Sequence, residues 1–356
     1  MPARKPAKLI RKKYTVGSLF SGIGGICLGF KNAGAEIVWA NDNDQHACVT
    51  YRENFNKEHN LIEDDAANFI RVMNCYPQSI ILPQGLEADI VVSGFPCQAF
   101  SIAGYQNGFT DARGNHFFET LQVIKKLKPK AFLLENVKNL KKHDRGKTFQ
   151  VIKEHILKEG YSFIPNLLNT KDFGGIPQTR DRLYIVGFRN EASFNELELN
   201  NKAVCSYAYE TSILKKIALK KTFRDFLEKG SVGEEFYYHG NPIYPELKRE
   251  IKRMDTVYQW RRKYVRENKS SVCPTLTANM GTGGHNVPLI KDSRGIRKLT
   301  PRECFNLQGF PKSFNLPKSL ANSHLYKQAG NSVSVPVVKR VAEKIIDALN
   351  QKYQVK

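Results

Sequence analysis

Cys97 and Glu135 are the residues whose types and positions point to chemistry. Cys97 lies in Ser93-Gly94-Phe95-Pro96-Cys97-Gln98-Ala99-Phe100-Ser101, after the apolar, β-branched run Ala88-Asp89-Ile90-Val91-Val92. That run reads as a buried strand, and Gly94 and Pro96 stop regular structure behind it. One thiol is therefore expected on a turn at the C-terminal end of a strand, the edge where open α/β sheets bind ligands. As a thiolate it is a candidate nucleophile. The plain alternative is a buried structural thiol, but loop sequence follows, not packing sequence. Glu135 closes a second strand, Lys130-Ala131-Phe132-Leu133-Leu134, on the same edge. A carboxylate between Leu134 and Val137 is costly unless it is used or paired. Arg180 and Arg182 alternate around Asp181 just ahead of another strand. In extended chain both point to one side, which suits a phosphate or a base carbonyl. A surface ion pair is the alternative.

These residues need a sheet to position them, and the chain supplies one. Thr15 to Phe20 reads as a strand, Ser21-Gly22-Ile23-Gly24-Gly25 as a tight turn, and Ile26 to Ala33 as a helix ended at Gly34. Strand, glycine turn and helix open a Rossmann-like α/β fold. The dinucleotide fingerprint fails, because Cys27 stands at its third glycine. That argues against a dehydrogenase and for another adenosine-bearing ligand. The strand Glu36–Ala40 leads into Asn41-Asp42-Asn43-Asp44, and Asp42 comes about 20 positions after the glycine turn, where a ribose is bound. A helix N-cap is the alternative, a role Asp44 fills equally well. Glu63-Asp64-Asp65 either meets an adenine amino group or caps a helix starting near Ala66. Helices over 117–126 and 148–159 and a strand over 161–168 continue the alternation. The loop from Gln98 to about Asn115, with Gly104, Gly108 and Gly114, is far longer than the usual connection of about 2–6 residues and reads as a closing lid.

The chain has 356 residues and a net charge of +21. The length suggests two domains, and the charge a polyanionic partner. The cysteines are odd in number and scattered, which fits a reducing cytoplasm and no CxxC metal pattern. No apolar run is long enough to span a membrane. From Asn190 to Arg297 the strand–helix alternation fades. Lys248, Arg249, Lys252, Arg253, Trp260, Arg261, Arg262, Lys263, Tyr264 and Arg266 interleave cations with stacking aromatics. The glycine-rich segment Thr275 to Asn286 can lie close against a nucleic-acid groove, and Thr275, Thr277, Asn279, Gly283 and His285, with Arg261 and Arg262, are its candidate base readers. The alternative is that this loop only braces the domain.

In this order the blocks Phe20-Ser21-Gly22-Ile23-Gly24-Gly25, Pro96-Cys97-Gln98, Glu135-Asn136-Val137, Gln178 with Arg180 and Arg182, Arg302-Glu303 with Gln308-Gly309-Phe310-Pro311, and Gly330-Asn331-Ser332 closely resemble the prokaryotic C5-cytosine DNA methyltransferases of type II restriction–modification systems. The resemblance implies an S-adenosylmethionine-dependent methyltransferase fold, a mixed and mostly parallel seven-stranded sheet, with a smaller, irregular target-recognition domain. The expected division is 1–190 with 326–356 for the catalytic domain and 191–325 for target recognition and hinge. By carry-over, Phe20, Gly22, Gly24, Asp42, Asn43, Asp64, Asp65, Pro96, Asn331 and Ser332 hold S-adenosylmethionine, released as S-adenosylhomocysteine. Asn43 departs from the family, which often has a large side chain there. Cys97 attacks C6 of a flipped-out cytosine, Glu135 binds its N3 edge, and Arg182 holds O2 with Arg180 beside it. Gln98, Ser101 and Gln178 meet the DNA. The implied partner is double-stranded DNA, bound by a monomer on the bacterial nucleoid that works alongside a restriction endonuclease. A tRNA cytosine methyltransferase is the alternative. A catalytically silent binder is disfavoured because Cys97 and Glu135 are both present.

The charge makes a direct prediction. With roughly 6–10 phosphate contacts, affinity for non-specific duplex falls about 10³- to 10⁵-fold between about 50 and 200 mM salt. A flat salt titration by fluorescence anisotropy would place the positive charge away from the DNA.

Overall fold

Seven strands form the central sheet: β1 (Thr15–Leu19), β2 (Glu36–Asp42), β3 (Asn60–Glu63), β4 (Ile90–Ser93), β5 (Ala131–Val137), β6 (Ile164–Asn169) and β7 (Asp181–Phe188). Their order is β3-β2-β1-β4-β5-β7-β6. β1 to β5 pair in parallel, while β7 runs antiparallel to both β5 and β6. This computed structural model describes residues 13–55, 60–75, 86–96, 116–189, 204–212, 214–261, 263–268, 270–282 and 286–351. Cys97, Gln98, Ser101, Arg262, Gly283, His285 and the 98–115 segment lie outside the described residues.

The helices are α1 (Gly25–Asn32), α2 (Gln45–Phe55), α3 (Ala66–Asn74), α4 (His116–Leu127), α5 (Lys147–Lys158), α6 (Thr170–Gly174), α7 (Val204–Thr211), α8 (Tyr244–Glu250), α9 (Pro301–Gln308), α10 (Asn322–Asn331) and α11 (Val335–Gln351). None of the described helices is long and apolar enough to cross a membrane. Strand side chains alternate between two apolar clusters, as the period of two requires. Ile90, Val92, Ala131, Leu133, Tyr184 and Val186 pack with α1 and α11, and Val91, Phe132, Leu134, Leu183 and Ile185 pack with α3, α4 and α5. A sheet covered on both faces leaves its ends as the place for ligands. β1 sits between β2 and β4, so the sheet's switch point opens beside the C-terminal end of β1.

Local sequence sets the helix ends. Asp44 Oδ1 accepts from the Ala47 amide ahead of α2, and Asp65 Oδ1 from Ala67 ahead of α3. Thr300 and Glu303 form the expected capping box of α9, which stops at Gly309 with φ 86°.

A second, antiparallel sheet has the order β11-β10-β8-β9, with β8 (Val257–Trp260), β9 (Val265–Asn268), β10 (Leu289–Lys291) and β11 (Ile296–Lys298). It covers a small cluster of Leu247, Ile251, Tyr258, Leu289 and Ile296. Arg297, only 3% exposed, pins β11 to α9 by donating to both Glu303 oxygens at 2.8 Å, and donates from Nε to Asp292 at 2.8 Å. The expected division between residues 325 and 326 falls inside α10, and Cys304, Phe305 and Phe310 join the cluster that holds α1.

The two sheets meet where the turn after Thr277 lies on α10. A Cβ on Gly330 would sit 2.1 Å from the Thr277 carbonyl carbon, so only glycine lets the two backbones approach. Gly330→Ala is expected to destabilise the fold by about 1–3 kcal/mol through overpacking. An unchanged melting temperature would show that the loop gives way freely.

Candidate active site

Because β7 runs against β5, its first residues lie beside the last residues of β5. Val137 pairs with Arg182 and Glu135 with Tyr184. Arg182 and Glu135 are thus diagonal neighbours on one face, and Arg182 Nε lies 3.1 Å from Glu135 Oε1. Glu135 is 8% exposed, and its Oε1 has no aligned hydrogen bond among the described residues. Burial raises the Glu135 carboxyl above its ordinary value, opposed by the charges of Arg182 and Arg180. Asn136 Nδ2 donates to the Phe95 carbonyl at 3.1 Å and so fixes the turn that leads out of β4.

Arg180, 1% exposed, is spent differently. Its Nη1 donates to the Leu276 carbonyl at 2.7 Å, and its Nη2 donates to the carbonyls of Gly330, at 3.1 Å, and Ser332. Burial, then the charge of Arg182, pushes its pKa down to about 9, which leaves it charged at neutral pH. Arg180 and Arg182 leave the backbone on one side, as their alternation predicts, but only Arg182 stands against Glu135 as an ion pair among the described residues.

In front of this edge lies a cavity of about 380 Å³, lined by Phe20, Gly22, Asp42, Asn43, Pro96, Glu135, Asn331 and Ser332, among others. Phe20 and Gly22 adopt left-handed φ of 50° and 54°. For Phe20 this is strained backbone, of the kind that collects at binding sites, and its ring packs edge-on against His116. No described residue lies within 4 Å of a Cβ position on Gly22, which lines the cavity. Asp42 Oδ2 accepts from the Gly22 amide at 2.7 Å and Oδ1 from the Asp44 amide at 2.9 Å. Each oxygen keeps a lone pair for a hydroxyl donor. Ser332 Oγ is buried without a hydrogen-bond partner among the described residues.

The sequence matches the C-5 cytosine-specific DNA methylase family over residues 14–347. The chain belongs to that family. The type II methyltransferase M.Bsp6I of Bacillus sp. (strain RFL6) is 49% identical over 94% of this chain and 99% of its own. M.HpaII of Haemophilus parainfluenzae is 33% identical, with 97% of this chain and 92% of its own covered. The Dnmt2 methyltransferase structure from S. pombe superposes with a TM-score of 0.65 at 20% identity, over 95% of this chain and 100% of that one, a likeness of fold.

Several expected site residues of this DNA methylase occupy other places. Gln178 does not reach the surface. It is fully buried, and its Nε2 donates to the Leu307 carbonyl at 2.7 Å and to Gln308 Oε1 at 3.2 Å, so no group is left for DNA. Gly24 caps α1 with its back to Tyr51 and Phe55, away from the cavity. Asp64 and Asp65 are not in the lining. Asp64 Oδ1 accepts from the Asp65 amide and Asn68, and Asp65 caps α3, so the capping role is the one realised. Thr275, Thr277, Asn279 and Arg261 do come together, on a second cavity beyond Thr179. Sequence reasoning gave no role to Lys327 and Gln328, which line the first cavity. Lys327 pairs with Asp44 at 2.8 Å, and Gln328 Nε2 donates to the His46 carbonyl, closing α10 onto α2. Their proximity to Gly330-Asn331-Ser332 was the available signal.

Glu135 should make stability depend on pH. Its folded pKa lies above the ordinary 4.5, so the folded chain holds a proton that the unfolded chain has released. Stability therefore falls as pH rises from about 4.5 through the folded value, and then stays level. Glu135→Gln removes this loss. Its melting temperature should match wild type in acid and exceed it at neutral pH; a pH-independent difference would contradict the shift.

Proposed function

We propose that this DNA methylase transfers a methyl group from S-adenosylmethionine to C5 of a cytosine turned out of duplex DNA. The observation that carries this reading is the pairing of a buried Glu135, whose carboxyl burial raises above its ordinary value, with Arg182 at the edge from which Pro96 leads to Cys97. The cavity beside it suits the methyl donor. Its volume falls in the range of about 300–1,000 Å³ usual for ligand pockets. Asp42 offers acceptors to a ribose, the Ser332 hydroxyl lacks a partner among the described residues, and Phe20, Gly22, Asn43, Pro96 and Asn331 complete the wall. Bound there, S-adenosylmethionine supplies an electrophilic methyl group.

The residues of the chain make C5 able to attack. Cys97 adds as thiolate to C6, which leaves C5 enamine-like. Glu135, held toward its acid form, donates to N3 and accepts from the amino group, offsetting charge as the ring is attacked. Arg182 holds O2. Arg180 adds a second positive charge behind it, so two cations face one carboxylate, and the excess favours an electron-rich ring. After methyl transfer the C5 proton leaves to a base, and the thiolate is expelled from C6. Cys97 cannot reach C6 within a stacked duplex, so the base rotates out by about 180°, and Gln98 and Ser101 meet the DNA. The enzyme acts as a monomer on chromosomal DNA, paired with a restriction endonuclease of the same target. Residues before Asn190 and the terminal helices perform the chemistry, while the region of the second sheet chooses the site.

The test is labelled methyl transfer to duplex DNA and to tRNA. Incorporation into duplex alone is expected, and incorporation into tRNA alone would overturn the proposal. Cys97→Ser should lower turnover by far more than about a hundredfold with cofactor affinity intact, because a nucleophile acts only in the chemical step. Turnover above that level would remove Cys97 from the reaction.

A further inference from the structure

The hairpin β8–β9 has two unlike faces. Tyr258, Trp260 and Val265 belong to the small apolar cluster beneath it. Gln259 and Arg266, directly paired across the strands, therefore share the opposite face. That face forms one wall of the second cavity, of about 450 Å³, and Thr275, Thr277 and Asn279 form the other. Arg261 also enters the cavity, oriented by a bond from its Nη2 to Gln259 Oε1 at 3.1 Å. No carboxylate is among the described lining residues, and the Arg266 side chain makes no hydrogen bond or ion pair among the described residues. Two guanidiniums thus face a polar hollow whose described lining holds no carboxylate to neutralise them.

We infer that Arg266, supported by Arg261, reads a guanine beside the target cytosine. This rests on the reading of duplex DNA as substrate and adds the base that flanks the reaction. A guanidinium offers two parallel donors. In the major groove only guanine presents two adjacent acceptors, N7 and O6; adenine pairs an acceptor with a donor, cytosine shows a donor, and thymine one acceptor. A phosphate also accepts two bonds, but the wall facing Arg266 is made of hydroxyls and an amide, Thr275, Thr277 and Asn279, which suit a base edge. The flanking position follows from the backbone. The Thr275 hydroxyl donates to the carbonyl of Thr179, the residue before Arg180 and three before Arg182. A base edge in this cavity is therefore held by the segment that carries the site chemistry, next to the cytosine.

The test begins with bisulfite sequencing of DNA from a host expressing the full chain, which gives the methylated site. Wild type, Arg266→Ala and Arg266→Lys are then compared on the site, on each single-pair variant, and on duplexes with 7-deazaguanine at each guanine. Both variants should lose about 5- to 150-fold in kcat/KM on the site, because lysine cannot present two parallel donors. The loss should vanish on the variant lacking one particular guanine. At that guanine, 7-deazaguanine should slow wild type and leave Arg266→Ala unaffected. Equal loss on all duplexes, with a salt dependence shallower by about one, would make Arg266 a phosphate contact and overturn the inference, as would full activity in Arg266→Lys. No methyl incorporation into any duplex by wild type would overturn the substrate reading, and this inference with it.

Discussion

One buried guanidinium holds three parts of the chain in register. Arg180 donates to backbone carbonyls from the turn at Leu276 and from Gly330 and Ser332. The first belongs to the segment that faces the second cavity, the other two to the wall of the first. A buried charge is tolerated only when its donors are satisfied, and here the satisfying groups are these carbonyls. The contact is therefore both the condition for burying Arg180 and the device that fixes one cavity relative to the other. Gln178 repeats the logic without a charge: its side chain reaches Leu307 and Gln308, and Gln308 in turn reaches Ala329.

The site electrostatics follow from strand direction. Were β7 parallel to β5, Arg180 and Arg182 would lie at the opposite end of the sheet from Glu135. Reversal brings two cations to one carboxylate at the ligand-binding edge. Burial raises the pKa of that carboxyl while the arginines oppose the shift, so desolvation and positive field act on the same group within a few ångströms.

Much of this was legible in the sequence because short periodic runs and their stops are local. The β1 turn, the end of β4 and the capping box at Thr300 were read correctly for that reason. Asp42 and Asp44 both line the cavity, and Asp44 also caps α2, as its spacing allowed. What local pattern cannot carry is direction and depth. Nothing in Gln178-Thr179-Arg180-Asp181-Arg182 announces that Gln178 is fully buried or that Arg180 is consumed by carbonyls 96 and more residues away. The same holds for Asp64 and Asp65, where capping and ligand contact draw on identical residue types. Arg266 stood in the basic run of the sequence, but its pairing with Gln259 became visible only once β8 and β9 were aligned.

Arg180 grips main-chain oxygens, and every residue type supplies the same carbonyl. The exposed Thr277 and Asn279 side chains can therefore be exchanged without touching the bond to the Leu276 carbonyl, while Gly330 keeps the backbones close. Such an attachment separates what the Thr277 and Asn279 side chains meet from what holds the backbone beneath them, so that surface can change its chemistry without changing its place in the fold.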